Sequence, residues 1–401
     1  MTIAIDVKPL ETPREWDRSG LPGWAYHSQA LLELEKRELF ETHWQVAGHV
    51  SDVPEPGDYF AFDIGNDRAL VVRGRDGEVR AFHNICRHRG ARVVANDRGH
   101  CKNAIVCPFH GWVYDFDGSL RGAARPKTFG ELDKDEFGLK PMECEIAHGF
   151  IFVRSRPGPQ PSVAELLMPF AADMAEYRLE TLQPTKGFNR AEIPVNWKSV
   201  RDVDNEGYHV AMAHPALQDL YGSTYKDIPY PQGLSLSTGT FDPHAGRRWS
   251  VRHYVRLSQP QDGMAEDKHR RWVYWGLFPN AVIAATPEMV QFYQEFPASR
   301  GKTLFRGGIY RYPPESRQQK LARYLAARID RETYAEDIQL SVWSNDSMKS
   351  SAFEGFHLSD LEYGVRNHHD EMRKLMPVLN LQDAPGEERV PMLNDALLAG
   401  R

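Results

Sequence analysis

Four cysteines among 401 residues are too few for a disulfide framework, so the chain is expected in a reducing, cytoplasmic compartment. Long apolar runs are also missing. Nothing approaches the ~20 residues that a membrane-spanning helix requires, and no membrane partner is expected. Basic residues are not in excess: the formal net charge is −6, which leaves no electrostatic footprint for nucleic acid. Met1 to Arg14 holds no apolar segment of the kind a secretory signal carries. No G-x-G-x-x-G follows a strand-like run, so a dinucleotide fingerprint is absent too. Repeats and low-complexity tracts do not occur. What is present is length enough for two domains, each with its own core.

The sharpest pattern is Cys86-Arg-His88 followed by Cys107-Pro-Phe-His110. Two thiolates and two imidazoles from separate loops suit a [2Fe–2S] cluster in which one iron keeps Cys86 and Cys107 and the other takes His88 and His110. Gly90 and Gly111, just after the ligands, let the backbone turn tightly. Cys₂His₂ is also a zinc set, but zinc spacing pairs Cys with Cys and His with His. Each finger here carries one of each, which favours the cluster. No plant-type C-x₄-C-x₂-C run exists, so no second ferredoxin-like site is expected. Cys101 and Cys144 read as buried reduced thiols. Cys101 lies between the fingers but lacks a histidine two or three residues on.

Around the fingers the texture is that of short strands. Ala69–Arg73 and Glu78–Phe82 flank Arg75-Asp76-Gly77, a hairpin signal. Residues 44–155 therefore read as a small all-β cluster-binding domain. Ser28–Phe40 reads as a helix with Leu31, Leu34 and Leu39 inward and Glu33 paired to Arg37. Arg156-Pro-Gly-Pro-Gln-Pro161 is a linker, and Ser162-Val-Ala-Glu165 a capping box for the next helix. Beyond it lie strand-like runs (Arg271–Phe278, Met289–Gln294) and two long helical stretches, Glu315–Ser350 and Ser359–Met376. The fold class is α+β: the all-β domain plus a larger mixed domain with an antiparallel sheet and C-terminal helices over 156–401.

The second candidate site is the segment Glu206-Gly-Tyr208-His209-Val-Ala-Met-Ala-His214-Pro215. On one straight helix two residues five apart diverge by about 140°. The two imidazoles converge only if the helix ends between them, and Pro215 supplies an end by pushing His214 out of the α region. With a carboxylate added, the set is a two-His-one-carboxylate face for Fe(II) with positions left open. The plain reading is that each histidine caps helix carbonyls.

Together these segments resemble a known family. Cys86-Arg-His-Arg-Gly90 and Cys107-Pro-Phe-His-Gly-Trp112 are similar to the fingerprint of the Rieske non-haem iron oxygenases, large (alpha) subunits that hydroxylate or demethylate. Glu206 through His214 resembles their mononuclear-iron motif, carboxylate-x-Tyr-His-x₄-His. The resemblance implies that residues 1–43 are a helical part of the catalytic domain and that Asp337, in Glu336–Leu340, is the third iron ligand. Asp330, Asp346 and Asp360 compete for that place, and a solvated helix-face Asp is the plain reading of all four. It also implies that Glu206 bridges an iron-ligand histidine to a cluster histidine of a neighbouring subunit, in a head-to-tail homotrimer. Asp202 and Asp204 are alternative bridges. Members that dihydroxylate aromatic rings carry Asp there, whereas those acting on carnitine, glycine betaine and proline betaine carry Glu.

The implied activity is O₂-dependent insertion of oxygen into a C–H bond, by hydroxylation or N-demethylation. Electrons are expected from NAD(P)H through a separate flavin/iron–sulfur reductase, directly or by way of a ferredoxin. Trp272, Tyr274, Trp275, Phe278 and Phe292 are candidates for the pocket, either as a cage for a trimethylammonium group or as stacking partners for a flat ring. Core packing is the plain reading of each. Asn280 and Arg306 are candidate grips for a carboxylate. Two rival readings stand beside this one: an aromatic-ring dioxygenase alpha subunit with a small beta partner, as in aromatic hydrocarbon catabolism, and a non-catalytic Rieske electron carrier or redox sensor.

Overall fold

In the computed structural model residues 8–244 and 246–400 are described. The first half of the Met1–Arg14 stretch lies outside the described residues. The chain is α+β and divides into two compact units, Phe40–Leu166 and the remainder on either side of it. Among the described residues no helix is long and apolar enough to cross a membrane.

The smaller unit holds ten strands: β1 (Gln45–His49), β2 (Asp58–Ile64), β3 (Asp67–Arg73), β4 (Val79–His83), β5 (Arg98–His100), β6 (Ile105–Val106), β7 (Val113–Tyr114), β8 (Leu120–Gly122), β9 (Pro141–Ala147) and β10 (Phe150–Arg154). Seven form one sheet in the order β1-β10-β9-β4-β3-β2-β5, and β6-β7-β8 form another that carries the second finger. The expected hairpin joins β3 to β4, closed by Gly74 N donating to Glu78 O at 2.7 Å. Leu70, Val72, Phe82, Trp112 and Tyr114 bury their side chains in one core with both finger cysteines. Each large apolar side chain contributes ~1.5–3 kcal/mol by leaving water. The unit extends past 155 because the proline-rich stretch folds back onto it. Trp44 Nε1 donates to Pro161 O at 2.9 Å, and Val163 N to Glu145 Oε2 at 2.7 Å. Proline blocks strand pairing, but its carbonyls still accept.

The larger unit is built on an eight-stranded antiparallel sheet. Its strands are β11 (Gln183–Pro184), β12 (Asn189–Ile193), β13 (Lys226–Pro229), β14 (Ser235–Thr240), β15 (Arg271–Leu277), β16 (Ala281–Ala285), β17 (Met289–Ser299) and β18 (Lys302–Arg311). The order is β11-β18-β17-β16-β15-β14-β13, with β12 also on β18. The register aligns Ser237, Tyr274, Ala284, Gln291 and Ile309 in one row across five strands. A neighbouring row on the same face is Ser235, Gly276, Val282, Tyr293 and Gly307. The long helix Arg317–Ser347 starts in a reciprocal cap, Ser316 Oγ accepting from Gln319 N at 3.1 Å and Gln319 Oε1 from Ser316 N at 2.8 Å.

The N-terminal helix runs Gln29–Glu35, capped by Ser28, then widens into a π-helix over Lys36–Phe40. Leu31, Leu34 and Leu39 are buried as expected. The wider turn displaces Arg37, which pairs with Glu38, so Glu33 takes Lys36 at 2.9 Å instead of the expected Arg37.

Candidate metal centres

In the smaller unit the two fingers are tight turns. Gly90 N donates to Cys86 O and Gly111 N to Cys107 O, both at 3.0 Å. Gly90 and Gly111 sit at φ +73 and +70, a conformation that penalises a Cβ. Both cysteine side chains are buried, and the Cys107 thiol is raised by burial and by its hydrogen bond with Cys86. The imidazoles pair separately: the His88 and His110 rings are 4.6 Å apart, and His88 stacks on Trp112 at 5.2 Å. His88 Nδ1 is buried without a hydrogen-bond partner. A thiol pair beside an imidazole pair fits one cluster with two irons. The four are not gathered within 4.8 Å as one zinc would require: among the described residues the only such group of three or more donors is His209, His214 and Asp337. Tyr114 Oη lies 3.3 Å from Cys86 Sγ and accepts from Arg87 N at 3.0 Å.

In the larger unit, helix Trp197–Asp204 ends at Asn205, and His209 begins a single turn, Val210–Ala213. His214 breaks that turn at ψ 77, and Pro215 opens the next helix, Pro215–Tyr221. The interruption brings His209 Nε2 within 2.9 Å of His214 Nε2. Asp337 Oδ1, from the long helix, stands 2.9 Å from His214 Nε2 and 3.4 Å from His209 Nε2.

Each imidazole has a carboxylate on its other side: Glu206 Oε1 at 2.5 Å from His209 Nδ1, and Glu336 Oε2 at 2.9 Å from His214 Nδ1. Protons held at both Nδ1 atoms leave two Nε2 lone pairs facing each other and an anionic oxygen. Such an arrangement is repulsive until a cation lies at its centre. The electrostatics show the same demand for positive charge, which a proton meets where no metal is bound: burial lowers the His209 imidazole, yet Asp337 and Glu206 outweigh it and bring it to about 10. Burial would raise the Asp337 carboxyl, but the two imidazoles hold it below the usual range.

Glu206 is aimed by its neighbour. A Cβ on Gly207 would meet Tyr225 Cε1 at 2.0 Å and Asp227 Oδ2 at 2.5 Å, so the loop closes down because residue 207 has no side chain.

The other candidate acids do not join the triad: Asp330 lines a cavity with it and accepts from Gln291 Nε2 at 2.8 Å. Asp202 accepts from Tyr26 Oη at 2.5 Å and pairs with His369 Nε2 at 2.8 Å. Asp204 accepts from Tyr293 Oη at 2.7 Å and pairs with Arg201. Asp346 pairs with Lys349, and Asp360 accepts from Trp16 and Arg18.

His209, His214, Asp337 and Glu206 line one cavity of about 420 Å³. Both rows of the sheet contribute to its wall, as do Ala327, Asp330, Tyr334 and Asp337 along one face of the long helix. Tyr274 lines it. Phe292 borders it, with its ring against Phe188 and Tyr310. Trp272 does not line it. It faces the same side of β15 as Tyr274 but sits one step deeper, in the core, donating to Tyr254 Oη at 2.7 Å. Trp275 points to the opposite face, toward Asp173 and Tyr177, and Phe278 packs on His368. Neither Asn280 nor Arg306 reaches the cavity: Asn280 Nδ2 donates to Glu295 O, and the Arg306 guanidinium stacks 4.2 Å from Phe188. Sequence reading missed Tyr225, Gln291 and Tyr293. The β17 alternation that puts Gln291 and Tyr293 on one face was the available signal.

Comparisons with known proteins agree with this geometry. Residues 43–134 match the Rieske [2Fe–2S] domain, and residues 173–378 match the ring hydroxylating alpha subunit (catalytic domain). The glycine betaine monooxygenase oxygenase subunit of Chromohalobacter salexigens is 37% identical over 205 residues, 51% of this chain and 45% of that protein. The carnitine monooxygenase oxygenase subunit of Escherichia coli (strain K12) is 28% identical over 295 residues, 72% of this chain and 74% of that protein. Matches to the glycine betaine relatives thus span less than half of those proteins' length. A solved quaternary ammonium Rieske monooxygenase shares the fold with a TM-score of 0.75 at 23% identity, over 92% of this chain and 99% of that one. Naphthalene 1,2-dioxygenase from Rhodococcus sp. does so with 0.69 at 20%, over 89% and 94%. The two matched domains imply a Rieske cluster and a mononuclear iron. With the catalytic-domain match covering just over half of its length, the chain belongs to the ring-hydroxylating alpha-subunit family and carries a Rieske domain ahead of the catalytic one.

Proposed function

We propose that this chain is the oxygenase subunit of a Rieske monooxygenase that N-demethylates a small quaternary ammonium compound of the betaine type. The observation that carries the reading is Glu206 at 2.5 Å from His209 Nδ1, on the wall of the cavity that His209, His214 and Asp337 share. Cys86, His88, Cys107 and His110 would hold the cluster, and His209, His214 and Asp337 the iron. When bound, the cluster supplies single electrons and the iron activates O₂.

The protein's own groups do the rest. Glu206 and Glu336 keep the Nδ1 protons in place and leave Nε2 of each imidazole free to ligate. The cavity presents Tyr225, Tyr274 and Tyr293 to the substrate. Overall, O₂, two electrons and two protons convert a C–H bond to C–OH and water. The hydroxymethyl ammonium then breaks its C–N bond to release formaldehyde, a proton and the demethylated amine. A separate NAD(P)H-dependent reductase, acting directly or through a ferredoxin, supplies the electrons. In a head-to-tail homotrimer Glu206 would link each iron to a neighbour's cluster. The names of the glycine betaine and carnitine relatives support the substrate class.

Iron analysis of anaerobically prepared protein tests the centres: two irons in the cluster and one mononuclear, the last lost in His209→Ala. Equal iron in both proteins would refute the assignment. Labelled O₂ tests the reaction. One formaldehyde per O₂ consumed is expected, and a cis-diol carrying two labelled atoms would show a dioxygenase instead.

A further inference from the structure

We propose that Asp330 is the counter-ion that selects a substrate with a positively charged nitrogen and sets the N-methyl carbon, not the far end of the molecule, against the His209/His214/Asp337 triad. The inference deepens the function proposed above and rests on it for the identity of the reacting carbon.

Asp330 precedes Asp337 by seven residues on the helix Arg317–Ser347. Seven residues are almost two full turns, so both carboxylates lie on one face, with ~10.5 Å of helix rise between their backbones. Both line the same cavity. The other acids on the cavity wall each have a basic side chain against them. Asp204 and Glu295 share Arg201, Glu206 meets His209, and Asp337 lies between both imidazoles.

Asp330 has no such partner. Its one hydrogen bond among the described residues comes from Gln291 Nε2 at 2.8 Å, and no Lys, Arg or His forms an ion pair with it. Arg331, the adjacent residue, is exposed, with its guanidinium 6.0 Å from the Tyr324 ring. Asp330 is half-buried on the cavity wall, and a carboxylate that loses hydration there without an ion-paired cation is destabilised until a cation joins it. Burial accordingly raises the Asp330 carboxyl to about 7. A cation arriving beside it would restore the ionised form and gain the pairing.

The surroundings suit one kind of cation. A quaternary ammonium cannot donate hydrogen bonds, so it needs a negative charge and π-faces rather than a set of acceptors. The charge of Asp330 reaches the Tyr221, Tyr274 and Tyr293 hydroxyls, and Tyr274 and Tyr293 line the cavity. In the sheet Ala284 lies between Tyr274 and Gln291 in one row. Exposed Lys186 and Arg331 line the same cavity. The cavity is therefore negative inside and positive at its solvent-facing edge, the polarity of a zwitterion. A nitrogen seated midway between the two acids would lie roughly one helical turn along the axis from each backbone, ~5 Å, a span that an N-methyl group can bridge.

The test is calorimetric binding to the full-length protein, wild type and Asp330→Asn, with two isosteric pairs: glycine betaine against 3,3-dimethylbutanoate, and choline against 3,3-dimethylbutan-1-ol. The wild type should prefer at least one cation over its carbon isostere. Asp330→Asn should weaken that cation by roughly ten- to a hundredfold, leave the isostere unchanged, and keep wild-type iron content. Asp330→Glu should restore much of the preference. The proposal is overturned if the wild type prefers neither cation, or if Asp330→Asn keeps the preference. Formaldehyde release separates the two readings. Loss of cation binding in the variant, with no formaldehyde from the wild type, sinks the demethylation and leaves Asp330. Equal formaldehyde from both proteins leaves the demethylation and sinks Asp330.

Discussion

Glu336 Oε2 stands 2.9 Å from His214 Nδ1, the ring nitrogen opposite the one that faces Asp337. Two consecutive carboxylates on one helix thus grip a single imidazole from both sides. Glu336 acts only through His214, so it is a positioning residue. Replacing Glu336 with Ala should weaken Fe(II) binding roughly 10–100-fold while leaving the visible spectrum of the cluster intact. Metal-competition titration measures the first and absorbance the second, and an unchanged iron affinity contradicts the role.

Gly207 makes a second prediction, because the space for a side chain is occupied by Tyr225 and Asp227. Gly207→Ala must push the Glu206 loop outward, at a cost of roughly 1–3 kcal/mol in stability. Mononuclear iron should fall with it. A thermal midpoint equal to that of the wild type would show that the loop absorbs the methyl group freely.

At the first finger, Tyr114 Oη lies 3.3 Å from Cys86 Sγ, the sulfur that would bind the cluster. A hydroxyl that donates to a ligand sulfur disperses its negative charge and favours the reduced state. Tyr114→Phe should lower the cluster potential by roughly tens of millivolts without loss of iron, as read by redox titration.

Glu288 gives the stability a pH dependence. It is buried where Tyr254 Oη, Ser258 Oγ and Gln259 N all donate to it, yet burial dominates and raises its carboxyl to about 7 from 4.5. The folded state therefore keeps its proton up to about pH 7, whereas the unfolded chain releases it near 4.5. Stability from this group is full below that window, declines across it, and is flat above it. Glu288→Gln should gain on the wild type as pH rises from 5 to 8, by thermal midpoints at each pH. A constant difference would exclude the linkage.

The residues legible in advance were those whose chemistry is local. Cys86, His88, Cys107 and His110 declare themselves by type and spacing, and Pro215 explains how His214 can meet His209. Asp337 was a different matter: it sits on a helix with several acids, and only the resemblance singled it out. Trp272 shows why the pocket was harder. Strand alternation tells which face a side chain takes, but not how far along that face the core gives way to open space. Glu33 shows the same limit in a helix, since an i,i+4 pairing presumes 3.6 residues per turn, and the π-turn at Lys36–Phe40 changes the phase.

The single turn between the two histidines has a further consequence. Residues 205–214 hold one helical turn, Val210–Ala213, outside the sheet, and a bound ion would fasten this joint to the long helix at Asp337. Chelation should make these amides exchange with deuterated solvent well before those of β15–β17, so that loss of iron begins as a local fraying rather than a global melt.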